Sequence, residues 1–133
     1  MTQLPDIQNR DDLHTIVVSF YERAKADPVI GWIFTEAFEV NWEKHIPLMV
    51  EFWESVLFGT AIYRGNPVQK HIEVDRKVPL TEAHFDRWIT LFHQTVDAHF
   101  HGERAIDMKT RAAVMRVLIW TKIEASHSPG FIQ

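Results

Sequence analysis

Residues 13–24 read Leu-His-Thr-Ile-Val-Val-Ser-Phe-Tyr-Glu-Arg-Ala, and Leu13, Ile16, Val17, Phe20 and Ala24 fall at i, i+3, i+4, i+7 and i+11. That spacing puts all five on one face of an α-helix and fits no strand. Asn9 supplies a cap and Asp11 and Asp12 the negative charge favoured in a first turn, so the helix spans about Arg10 to Ala26. Outward from it the same period recurs. Asp27-Pro28 reads as cap and first position of a short second helix ending near Phe34. A third helix runs from about Asn41 to Leu57 with Met49, Phe52, Trp53 and Val56 on one stripe, and Gly59 stops it. Pro47 lacks an N–H, so this helix either kinks there or has an irregular first turn. From Thr60 to Leu80 the pattern weakens, and only Asn66-Pro67 to about Ile72 looks helical. Thr81 then caps a long helix with Phe85, Trp88, Ile89, Phe92 and Val96 aligned and Gly102 at its end. The last helix runs from about Glu103 to Ser126 on Met108, Ala112, Met115 and Ile119, closed by Ser128-Pro129-Gly130. The expectation is one all-α domain over residues 11–126, with short polar tails at 1–10 and 127–133.

Composition narrows the function classes. The 133 residues are 46% apolar and 24% charged, enough for a single packed core. A net charge of −4 provides no basic field for phosphates, which argues against a nucleic-acid partner. With no cysteine, disulfides, thiolate metal sites and cysteine catalysis are excluded. Neither a signal-peptide-like start nor a span of roughly 20 apolar residues is present, so no membrane partner and a cytoplasmic location are expected. Five Trp, nine Phe and eight His are abundant for this length. They fit either dense aromatic packing or a flat apolar cofactor, and composition does not choose between them.

The histidines divide by position. His93, His99 and His101 sit on or after the C-terminal half of the long helix, where positive character is favoured, and no carboxylate or third histidine has metal-site spacing. His14, His84 and His127 read as solvated. His45 lies four residues before Met49 and seven before Phe52, on the apolar stripe, where core and functional roles are both open. His71 ends a short proline-started turn in the least regular stretch, a good place to present a ligand. Tyr21 lies at the edge of the first helix's apolar face and needs a partner for its hydroxyl if buried. Trp88 carries an N–H that can only donate. Glu36/Glu39 and Glu103/Asp107 read as solvated faces. No phosphate loop or nucleophile elbow appears, so a conventional hydrolase has no machinery here.

Taken together, five segments occur in a telling order: Phe20-Tyr21-Glu22-Arg23, Asp27-Pro28 through Ile33-Phe34, His45-Ile46-Pro47 with Phe52-Trp53, Tyr63-Arg64-Gly65-Asn66-Pro67 to His71, and Trp88-Ile89 with Leu91-Phe92. This arrangement resembles the truncated haemoglobins, specifically their third group, over roughly Asp11 to Ile123. The resemblance implies a globin-like two-over-two helical sandwich around one haem b (iron protoporphyrin IX) per chain. It places the metal ligand at His71, a ligand-binding pair at Tyr21 and Trp88, and a distal histidine at His45. Phe34, Met49, Phe52, Trp88 and Phe92 then become cofactor-binding walls. Pro47 fits the same pattern, and the glycine pairs of other groups are missing, as they generally are in this one.

The resemblance further implies binding of oxygen, nitric oxide, carbon monoxide or cyanide at ferrous haem, with redox or nitric oxide/peroxide detoxification chemistry as a use and an unknown reductase as partner. Tyr21 and Trp88 would donate to the ligand's outer atom, His45 would donate too or gate entry, and His71 would donate its other ring N–H to a backbone carbonyl near Pro67 or Val68. Lys70, Arg76 or Lys77 would meet the propionates. The competing reading is a haem-free helical module that binds a partner protein through an aromatic groove.

Overall fold

A computed structural model describes residues 3–60 and 62–128, all helix and connecting turns with no strand among them. The expected Pro129-Gly130 stop and the tail beyond it lie outside the described residues. Helix α1 spans Arg10–Ala26, with the Asn9 side chain accepting from the Asp12 N–H, and its buried positions are Leu13, Ile16, Val17, Phe20 and Ala24. The full stripe of the opening heptads thus faces the core.

The short second helix differs from expectation. Pro28 to Ile30 form a turn, and a π-helical turn covers Ile33–Ala37, past Phe34. In the turn before it, the Asp27 carboxylate accepts from the Val29 and Ile30 N–H groups and from Arg87 of a distant helix. Its buried carboxyl is held below the usual range chiefly by the Arg87 hydrogen bond. Gly31 then brings the chain so close to α1 that a Cβ there would sit 2.5 Å from the Lys25 carbonyl oxygen.

Helix α2 spans Trp42–Phe58 with Pro47 inside it, and it ends at Gly59 in the left-handed conformation at φ +69°. Of its stripe only Trp53 is buried, together with Val50; Met49, Phe52 and Val56 are half-buried. Helix α3, Pro67–Lys77, is a turn and a half longer than the expected stop at Ile72. Asn66 caps its start, Asp75 accepts from the Leu80 N–H at 2.8 Å near its end, and Arg76 and Lys77 complement the dipole of the last turn.

Helix α4 covers Glu82–His99 and α5 covers Glu103–Ser126. His84 is no idle solvated residue: with Thr81 it completes a capping box, its Nδ1 accepting the Thr81 N–H. His127 is likewise engaged, 2.7 Å from the buried Asp75 carboxylate. Gly102 does not end α4, which stops at His99, but occupies the position before α5 at φ +147°. There a Cβ would meet the Asp6 side chain at 2.5 Å. Asp6 supplies the cap that Gly102 lacks, accepting from the Arg104 and Ala105 N–H groups. Within the expected short polar tail at 1–10, residues 5–7 pack on the helices, with Ile7 buried and the Pro5 carbonyl accepting from the His101 N–H.

In space α1 packs on α2 and α4, α4 on α5, and α3 on α5. Two helix pairs laid across each other make the two-over-two sandwich, with α3 brought in against α5. The core runs through Phe20, Trp53, Phe92, Val96, Met108 and Ile123.

Candidate haem site

Five elements supply the aromatic and histidine side chains of the candidate site. From α1, Tyr21 points its hydroxyl at His45 of α2, with the oxygen 2.8 Å from His45 Nε2. Burial raises the phenol far above its ordinary range, so Tyr21 stays protonated. The Phe34 ring, carried by the π turn, packs edge-on to Tyr21 at 5.7 Å. On α4, Trp88 stacks on Phe92 at 5.5 Å and 13°, and Phe92 stacks on Trp53 at 5.2 Å and 17°. Phe20 meets Tyr21, Trp88 and Phe92 edge-on, which ties the tyrosine to the α4 rings. Phe92 is buried within this stack and supports the wall from behind, whereas Trp88, Phe52, Met49 and Phe34 are half-buried.

His71 enters from α3. Its Nδ1 lies 2.7 Å from the Pro67 carbonyl, one helical turn back. A carbonyl only accepts, so Nδ1 carries the proton and Nε2 keeps its lone pair. Burial pushes the imidazole pKa down, with the Pro67 bond opposing in part, which favours the neutral ring. His45 is also shifted down, first by burial and then by the His71 imidazole. Phe85 flanks His71 at 6.3 Å and in turn meets Trp120 at 5.8 Å.

This donor set suits haem. A fixed neutral imidazole with one free lone pair is the axial ligand that haem iron takes, and flat apolar side chains are the surroundings a porphyrin needs. Two of the other histidines are engaged elsewhere: His93 bonds the Lys109 carbonyl and His99 the Ser19 hydroxyl. Among the described residues no three His, Asp or Glu side chains gather to hold a bare metal ion.

Several ring neighbours escaped the sequence reading. Trp42 packs 5.0 Å from Tyr21 and 5.8 Å from His45, and its place three residues before His45 was the available clue. Phe85 beside His71 had no local signal, because the contact joins α3 to α4. Lys70 is exposed and weakly paired with Glu73 at 3.9 Å.

Comparison with known proteins agrees with the fold. The family model described as bacterial-like globin matches residues 6–121. The chain belongs to the bacterial-like, truncated globin family, whose members bind haem. It is similar to the group 3 truncated hemoglobin ctb of Campylobacter jejuni, 26% identical over 98 residues covering 71% of this chain and 75% of that protein. The crystal structure of the group III truncated hemoglobin from Campylobacter jejuni superposes with a TM-score of 0.79 at 22% identity, covering 92% of this chain and 95% of that one. Among the described residues no helix is long and apolar enough to cross a membrane.

Proposed function

We propose that the chain holds one haem b through His71 Nε2 and binds diatomic ligands on the side of Tyr21, His45 and Trp88. Haem, when bound, supplies an iron with one position for an imidazole and one for a small ligand such as oxygen, nitric oxide, carbon monoxide or cyanide. His71 fixes the cofactor on one side, its ring orientation set by the 2.7 Å bond to Pro67. Phe34, Met49, Phe52 and Trp88 bury the porphyrin's faces, and Phe92 backs them. Of the basic groups of α3, Lys70, Arg76 or Lys77 would meet the propionates.

On the opposite side the chain offers directed donors. If His45 carries its proton on Nε2, it donates to the Tyr21 oxygen, and the phenol's own proton turns to the ligand. In the other tautomer Tyr21 donates to His45, and only the Trp88 N–H remains. Since a ligand that gathers negative charge rewards donors, binding selects the first arrangement. Buried donors of this kind hold a ligand long, which suits redox use or removal of nitric oxide or peroxide with an external reductase better than delivery of oxygen.

The observation that carries this reading is the His71 ring, favoured neutral and anchored at Nδ1 by the Pro67 carbonyl. The test is spectroscopic. Purified protein reconstituted with haemin shows a Soret band that shifts when carbon monoxide meets the reduced form. A protein that takes up no haemin and stays colourless favours the helical interaction module.

A further inference from the structure

The distal pair is closed in by a group that plays no part in binding the ligand itself. Trp42 is the first residue of α2, three positions before His45, and its ring touches Tyr21 at 5.0 Å, His45 at 5.8 Å and Phe34 at 6.2 Å. Over it lies the Lys25 ammonium from the last turn of α1, 4.7 Å from the ring centroid. Trp42 thus pins the start of α2 to the end of α1, directly over the tyrosine–histidine hydrogen bond.

The backbone beneath it is weakly tied. Asn41 makes no side-chain cap to the first turn. Pro47 has no N–H, so the Glu43 carbonyl lacks its usual partner four residues on. The turn Trp42–Ile46 is joined to the rest of α2 by fewer backbone bonds than an ordinary helical turn, and side-chain contacts must hold it down. Turning the His45 ring past Trp42 or lifting the whole turn would free space beside Tyr21. Both break the Trp42 contacts.

We propose that Trp42, clamped by Lys25, is a positioning residue that latches the distal turn and sets how fast a diatomic ligand enters. The gate is then the hinged segment Trp42–Ile46, with Pro47 as its pivot, rather than the His45 side chain alone. This rests on the haem reading above.

The experiment measures carbon monoxide association with the reduced, haem-loaded protein after flash photolysis, alongside hydrogen exchange of the amides of residues 42–46 in the haem-free protein. Loss of the Trp42 ring contacts in Trp42→Leu is expected to raise both rates about 2- to 10-fold. Lys25→Met, on an exposed position where folding is not at stake, is expected to raise them about 2- to 5-fold. On a His45→Ala background, Trp42→Leu still raises amide exchange. Parent rates in both Trp42→Leu and Lys25→Met, with faster entry in His45→Ala, overturn the latch and leave the histidine as the gate. Parent rates in all three overturn any gate here. Failure of the unmutated protein to acquire a Soret band overturns the haem reading instead.

Discussion

Replacing Tyr21 by Phe removes one oxygen and nothing else from the distal side. In the parent protein that oxygen lies 2.8 Å from His45 Nε2, and the rings of Phe20, Phe34 and Trp42 pack on the tyrosine. A hydrogen bond to a group carrying charge is worth about 1.5–3 kcal/mol, more in the dry pocket than in water. At about 1.36 kcal/mol per decade, oxygen release from Tyr21→Phe is expected to be about 10- to 150-fold faster. The lower part of that range applies if His45, freed of its partner, turns its own N–H to the ligand. Tyr21→Phe/His45→Leu removes this substitute and is expected to exceed the single variant. Stopped-flow replacement of oxygen by carbon monoxide gives the release rate, and the association rate serves as control. A release rate within twofold of the parent in both variants, with haem fully bound, refutes the assignment of the tyrosine as a donor.

Trp88→Phe keeps the stack on Phe92 but deletes the N–H, so oxygen release is expected to quicken by about 3- to 30-fold with haem content unchanged. The haem-free protein is expected to lose stability in mild acid. Both His45 and His71 have pKa values below the ordinary 6.5, so the unfolded chain binds more protons and stability falls as pH drops through that value. Thermal melts between pH 7.5 and about 5 check this, and His45→Leu should flatten the dependence. Asp6→Ala strips the cap from α5 and is expected to cost about 0.5–2 kcal/mol in urea unfolding while leaving the Soret spectrum unaltered.

The helical elements were legible because their apolar residues repeat at 3.6 and their caps are local. Asn9, Thr81 and Asn66 announce the starts of α1, α4 and α3 within three residues of the bonds they make. What the sequence hid was non-local. Gly102 looked like a helix stop, yet it is a gap filled by Asp6 from 96 positions earlier in the chain. At the end of α3, Asp75 bonds Leu80 and His127, and in the turn after α1, Asp27 is met by Arg87 from 60 residues on. Tyr21, His45 and His71 could be singled out as candidates from position, but only the resemblance united them, because three helices carry them. Trp42 was missed since a tryptophan at a helix start reads as packing until its neighbours are known.

The most direct measurement of the central claim is haem titration of His71→Gly with and without added imidazole. The glycine opens a slot in α3 where free imidazole can take the place of the lost ring. The parent is expected to bind one haem per chain, the variant to lose the parent's ferrous spectrum, and millimolar imidazole to restore it. A His71→Gly protein that binds haem with the parent's spectrum and needs no imidazole would contradict that claim.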